Sequence, residues 1–360
     1  MQPDLFTPVR LGRYSLKNRL VMAPLTRNRA GVGNVPHALN VKYYRQRASA
    51  GSIISEGSQI SATALGYLGT PGIHSAEQIA GWKQVTDAVH SRDGRIFLQL
   101  WHCGRISHPS LLPNGMLPVA PSPVQPAGHA HTMEGPQAFV TPHALALEEI
   151  PGIINDFQVA AKNALAAGFD GVEIHAANGY LIDQFIRDGS NQRNDEYGGS
   201  LKNRARLLLE ITAAVVEVWG SDRVGVRLSP INSFNDMLDS DPQQTFDFVA
   251  HALNPFNLAY LHVTEWAGVD PSQPKPDFDF RRLRAAFNGT YITNGGYDKA
   301  SANAAISAGD TDLIACGKLF IANPDLPERF ASDAPLNTPD GNTFYGGNEV
   351  GYTDYPALSA

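Results

Sequence analysis

Eight short apolar runs punctuate this chain, and segments of helical periodicity separate them. The runs cover residues 20–26, 52–59, 95–101, 171–176, 223–229, 259–265, 291–294 and 313–316. Most are apolar throughout instead of alternating, as parallel strands are when both faces of the sheet are covered. The helical segments carry their own signals. After Leu201, residues Ala205, Leu208, Leu209, Val215, Val216 and Trp219 fall on one stripe. Ser200, Asp241 and Asn323 read as N-caps, the last two followed by proline at the first helical position. Gln244 would complete a capping box with Asp241. Ala167-Gly168 and Ala308-Gly309 each read as a helix ending at glycine and turning into a strand. Eight such alternations predict an α/β fold, a closed (β/α)8 TIM barrel in preference to an open doubly wound sheet.

Two stretches depart from that rhythm. The interval between Trp101 and Gly171 is too long for a simple crossover. Its part from 102 to 149 is rich in Pro, Gly and His, and is expected to carry a β-hairpin at 135–141 over the barrel mouth. The tail, 338–356, is rich in glycine and aromatics, and its tyrosines argue for packing. All 360 residues are expected to form one unit, since barrels of this class exceed the usual domain length.

Charge and composition exclude several roles. A net charge of −7 argues against nucleic acid or an anionic membrane as partner. No apolar run is long enough to span a bilayer, and the first residues lack a signal-peptide pattern. The two cysteines, Cys103 and Cys316, have no metal-ligand spacing and suit a reducing cytosol, although one disulfide is conceivable. No Gly-x-Gly-x-x-Gly or Walker lysine loop follows a strand, and no Gly-x-Ser-x-Gly elbow occurs. His129-Ala-His131 lies in a Pro/Gly-rich loop without carboxylate or cysteine neighbours, and reads as solvent-facing instead of metal-binding.

Catalytic side chains of a barrel sit at the C-terminal ends of its strands. Thr26, Gln99, His175, Arg227, Gly295, Gly296 and Gly317 fall there. His175, Asn178 and Tyr180 occupy one short stretch after an apolar strand. Two of them can donate to an oxygen gaining negative charge, and the third is a phenol able to protonate a carbanion-like carbon. No nucleophile stands beside the histidine, so reduction of a polarised double bond suits the set better than hydrolysis. Arg227 interrupts an apolar strand and must meet an anion, either a ligand or a carboxylate such as Glu173. Gly295-Gly296 and Gly317-Lys318, on neighbouring strands, fit a phosphate site.

These residues resemble the old yellow enzyme family of FMN-dependent ene-reductases. The matching segments include Lys17-Asn18-Arg19 through Pro24-Leu25-Thr26-Arg27, Gln99-Leu100-Trp101-His102, His175-Ala-Ala-Asn178-Gly-Tyr180, Asn194-Asp-Glu-Tyr197-Gly-Gly-Ser-Leu-Lys-Asn203-Arg204, Ile321-Ala-Asn323-Pro324 and Phe344-Tyr345-Gly-Gly. The likeness spans nearly the whole chain. It implies FMN held non-covalently at the strand C-termini. Pro24, Leu25 and Thr26 would line the ring, and Gly57, Gln99 and Arg227 its pyrimidine end. Gly295, Gly296, Gly317 and Lys318 would meet the phosphate. It further implies NADPH or NADH as reductant. The oxidant would be an α,β-unsaturated carbonyl, imide or nitro compound, held by His175 and Asn178 and protonated by Tyr180 after hydride arrives from flavin N5. Tyr67, Trp101 and Tyr345 would line the pocket, which would also admit phenolic ligands. The resemblance fits a monomer or small homo-oligomer.

Two departures stand out. Lysine at 318 replaces the arginine common among relatives and offers a point charge instead of a fork. Asn178 stands where others have histidine, and it cannot titrate. The rival expectation is a phosphate-binding barrel isomerase or aldolase without flavin. That chemistry would need Glu173 as base or Lys318 as a Schiff-base amine.

Overall fold

The computed structural model describes residues 2–266 and 277–358. Eight parallel strands close into a barrel: β1 (Leu20–Met22), β2 (Ser52–Gln59), β3 (Ile96–Trp101), β4 (Gly171–His175), β5 (Val224–Leu228), β6 (Tyr260–Thr264), β7 (Tyr291–Asn294) and β8 (Leu313–Cys316). Each pairs with its successor, and β8 returns to β1 through Ile314 and Leu20. The expected TIM barrel is therefore present. The expected ends of β2, β7 and β8 match. β1 is shorter than expected because Pro24 has no N–H to continue the ladder; the last rung is Ala23 N donating to Cys316 O at 3.0 Å.

Two cores explain the absence of alternation in the strands. The outer one lies between strands and helices and includes Met22, Ile53, Leu98, Ile174, Val226, Leu261 and Ile314. The inner one holds Val21, Ile54, Phe97, Tyr260, Ile292 and Ala315. A short hairpin, Val9–Leu11 with Tyr14–Leu16, adds Leu11 and Leu16 to the inner core. Phe97 and Tyr260 are so large that neighbouring strands must give way. A Cβ at Gly171 would lie 2.2 Å from the Phe97 ring, and one at Gly225 2.2 Å from the Tyr260 ring. Side chains thus fill the lower barrel, leaving the upper rim for polar groups.

Local signals were mostly honoured. Ser200 accepts from Asn203 N at 3.3 Å. The stripe after Leu201 is divided at Ala205 into Leu201–Arg204 and Arg206–Trp219. Gly168 and Gly309 adopt φ of +84° and +77°, the left-handed turn expected at a helix end. Asp241 does cap its helix, accepting from Gln244 N at 3.0 Å. The capping box does not form, because Asp241 N donates to Asp239 Oδ1 instead. The cap assigned to Asn323 is also corrected. The helix starts later, at Leu326, and the Asn323 side chain joins Leu319 O to Asn337 N.

The 102–149 excursion holds a hairpin, but at His129–Thr132 with Gly135–Ala138 instead of 135–141. Its first arm was hidden by its histidines. His129 and His131 point to solvent while Ala130 and Thr132 turn inward. Ala130 and the following Phe139 pack in one cluster with Trp101, Cys103, Ile106 and Tyr180. The tail packs as its aromatics implied. Tyr352 is fully buried and stacks on Tyr43 at 4.1 Å between ring centroids. Arg27 and Arg29 donate to tail carbonyls of Phe344, Gly351 and Asn348. Cys103 and Cys316 are both buried and unbonded. No helix among the described residues is long and apolar enough to cross a membrane.

Candidate active site

The rim begins with a buried polar layer. In register, Glu173 on β4 lies beside Gln99 on β3, and Arg227 on β5 lies between His175 and His262. Glu173 is wholly buried and its carboxylate is committed. It accepts from Gln99 Nε2 at 2.8 Å and meets His262 Nδ1 at 2.9 Å. The alternative of a Glu173–Arg227 ion pair is not realised; Arg227 has no ion pair among the described residues. Among the described residues its guanidinium makes one hydrogen bond, a long one to Asn294 Oδ1 at 3.4 Å, and its buried Nε has no partner. A buried guanidinium with an idle N–H is costly unless an acceptor completes it.

Above this layer stands an aromatic wall. Trp101 ends β3, with Tyr67 stacked on it at 5.5 Å and Tyr180 edge-on at 4.9 Å. His175 meets Tyr180 edge-on at 5.1 Å. A Cβ at Gly57 would lie 2.6 Å from the indole, so that glycine makes room for Trp101. Tyr180 Oη donates to Tyr67 Oη at 3.1 Å. Tyr345 is the exception in the group, 68% exposed at the end of the tail.

Electrostatics fix the protonation of this wall. Burial, aided by the Arg227 charge, holds His175 well below the ordinary imidazole range. The ring is neutral, and its Nδ1 is buried without a partner. Burial pushes the Tyr180 phenol well above the usual value, so it keeps its proton. Asn178 has a left-handed backbone, φ +58°, which asparagine tolerates. Its N donates to Ser229 Oγ at 2.6 Å, its O accepts from Asn235 Nδ2 at 2.8 Å, and its Oδ1 accepts from Asn232 Nδ2 at 2.8 Å.

The opposite side of the rim is open. Gly296 has φ +82° and nothing near its missing Cβ, and a Cβ at Gly317 would meet Leu25 at 3.3 Å. Gly295 packs against Glu265 and Tyr297. Among the described residues, Lys318 forms no hydrogen bond or ion pair, and neither does the Thr26 hydroxyl. Pro24 is buried beside them. One side thus offers an idle lysine and glycine backbone, and the other offers an incompletely bonded arginine, oriented donors and a protonated phenol.

Comparison with known proteins places the chain in a family. The profile of the NADH:flavin oxidoreductase / NADH oxidase family matches residues 4–337. The chain belongs to that family. Among solved structures it is similar to morphinone reductase in complex with tetrahydroNAD, at 49% identity, TM-score 0.93, with 99% of this chain and 98% of that one covered. It is also similar to the old yellow enzyme homologue from Zymomonas mobilis, at 45% identity, TM-score 0.94, with 99% and 100% covered. Among curated relatives, 12-oxophytodienoate reductase 1 of Oryza sativa subsp. japonica is 46% identical over 358 residues, 98% of this chain and 93% of that protein. This old yellow enzyme relative is therefore an oxidoreductase with a flavin-type barrel.

Sequence reading found the wall but missed its support. Ser229, Asn232 and Asn235, in the loop after β5, hold Asn178. Arg105, from the excursion, fixes that loop by donating to Asn235 O and Asp236 O. The available signal was two asparagines within a few residues of a strand-end arginine.

Proposed function

We propose that the chain works as one unit, in the cytosol, as an FMN-dependent, NAD(P)H-linked ene-reductase acting on α,β-unsaturated carbonyl, imide or nitro compounds. The observation that carries this reading is the set of three groups above the rim: a neutral imidazole, a fixed carboxamide and a protonated phenol.

FMN fits the idle groups around the barrel mouth. Arg227 has a buried N–H to give, Gln99 has an oxygen left over from Glu173, and the Thr26 hydroxyl is free. Pro24, Leu25 and Gly57 with its Trp101 would bound the ring. Gly295, Gly296, Gly317 and Lys318 would meet the phosphate. When bound, FMN supplies the hydride relay from nicotinamide to the alkene β-carbon. The side chains do the rest. His175 and Asn178 bind the activating oxygen and stabilise its growing charge. Tyr67, Trp101 and Tyr345 shape the pocket and limit water. Tyr180 holds the proton that the α-carbon receives. Its own pKa is high, but a carbanion-like carbon is a stronger base than water.

The flavin-free isomerase or aldolase finds less support. Glu173 is sealed among Gln99 and His262, and Lys318 follows β8, which lies across the closed barrel from β4 and its His175. A direct test is the visible spectrum of the purified protein, recorded anaerobically, then after NADPH, then after an enone. Flavin absorbance should bleach with NADPH and return with the enone. A colourless protein that does not take up FMN would sink the proposal.

A further inference from the structure

We propose that Asn232 is a positioning residue that decides which end of the Asn178 carboxamide faces the ligand. The inference rests on the reading of Asn178 as an oxygen-binding donor, and it adds a residue that the sequence did not suggest.

An amide side chain has two orientations of nearly equal shape, with opposite chemistry: one end donates and the other accepts. A donor toward the substrate oxygen is useful; an acceptor there repels it. Something must break the tie. At Asn178 the tie is broken by a chain of forced choices that starts at a backbone N–H. Phe234 N can only donate, and it donates to Asn232 Oδ1 at 2.7 Å. With its oxygen taken, Asn232 turns its Nδ2, which can only donate, toward Asn178. It lies 2.8 Å from Asn178 Oδ1. Asn178 must therefore present its own Nδ2 in the other direction, and that nitrogen has no partner among the described residues.

The surroundings leave little freedom for escape. Asn232 is 1% exposed, so water cannot replace its amide. Asn178 is held through both backbone polar groups by the same loop, at Ser229 and Asn235. Only rotation of the terminal amide remains. A histidine at position 178 would not need this arrangement. The device belongs to the asparagine form of the site.

The test uses the holoenzyme and four variants: Asn178→Ala, Asn232→Asp, Asn232→Leu, and Asn178→Ala combined with Asn232→Asp. The readouts are the dissociation constant of a para-substituted phenol, followed by flavin absorbance, and the separate rates of flavin reduction by NADPH and reoxidation by an enone. Asn232→Asp presents only acceptors, so Asn178 must swing its Nδ2 away from the ligand. Phenol binding and enone reoxidation should then fall about as far as in Asn178→Ala, on the order of 10²-fold. Reduction by NADPH should change much less. Asn232→Leu removes the preference without reversing it and should cost only a few-fold. In the Asn178→Ala background, Asn232→Asp should add nothing. Unchanged phenol binding in Asn232→Asp overturns the proposal. So does an equal additional loss in the Asn178→Ala background, which would mean general damage to the loop. If Asn178→Ala itself leaves phenol binding intact, the reading of the site falls first and this inference falls with it.

Discussion

The two sides of the barrel mouth are built in opposite ways. On the β3–β5 side, the side chains beside the oxygen-binding atoms are held: Gln99 by Glu173, Asn178 by three bonds from one loop, Tyr180 by Tyr67, while Arg227 Nε and His175 Nδ1 are left unpartnered among the described residues. On the β7–β8 side, Gly296 leaves open space, and Lys318 has no partner among the described residues. The difference follows from what each side must meet. A charge that exists only in the transition state rewards donors that are already oriented, because reorientation during the reaction would raise the barrier. A phosphate carries its charge permanently, so a site for it can be completed by the ligand itself.

The largest effect should come from the held side. Tyr180→Phe keeps the ring contacts with Trp101 and His175 but removes the proton. Reoxidation by an enone should slow by about 10²–10⁴, while reduction by NADPH stays near its normal rate. Stopped-flow measurement of both half-reactions checks this, and equal slowing of both would break the contrast between the sides. A smaller effect is expected on the open side. Lys318→Met removes one charged donor from the phosphate region, a loss of roughly 1.5–3 kcal/mol, or about 10- to 150-fold in FMN dissociation constant. The rate of enone reduction by the FMN-loaded protein should barely change. Lys318→Arg should bind FMN at least as tightly as the parent, because the guanidinium can form two parallel bonds. Calorimetry of apoprotein with FMN distinguishes these outcomes.

The same contrast explains what could be read from the sequence. Strands stood out because both their faces are buried, so β2, β7 and β8 ended where the apolar runs ended. His175, Asn178 and Tyr180 were legible because they follow one strand within one turn of chain. The glycines and Lys318 were legible because an open site needs few contacts, and those few lie at strand ends. The support of the held side was not legible. Asn232 and Asn235 act across more than fifty residues of sequence, and Arg105 reaches them from the excursion. The two asparagines after Arg227 were visible as a local pattern, but a local pattern does not say which distant residue they meet. The misplaced hairpin has a similar cause: the arm at His129–Thr132 buries only alternate residues, and its exposed histidines made it look like loop.

The smallest predicted effect is an absence of titration, and it sharpens the contrast most. A two-histidine oxygen site would lose donors or gain charge across neutral pH. Here the imidazole of His175 is held well below its usual range by burial and Arg227, and Asn178 does not ionise. Binding of a phenol whose own pKa lies well above the range studied should therefore be flat between about pH 5 and 8. Stability should behave differently. His102 is buried, and its pKa is lowered from 6.5 to about 3. Below pH 6.5 the unfolded chain takes up a proton at this position that the folded chain refuses, so stability falls as pH drops and is restored above 6.5. By pH 5 this one residue should cost about 2 kcal/mol. Because Glu56, raised from 4.5 to about 7 by burial, acts in the opposite sense over the same window, the check is a comparison: between pH 7 and pH 5 the parent should lose about 2 kcal/mol more stability in urea titrations than His102→Asn, while the phenol dissociation constant of the folded protein stays constant. A binding curve that follows two coupled ionisations would show that the oxygen site titrates, and would place the held side under the control of pH instead of fixed hydrogen bonds.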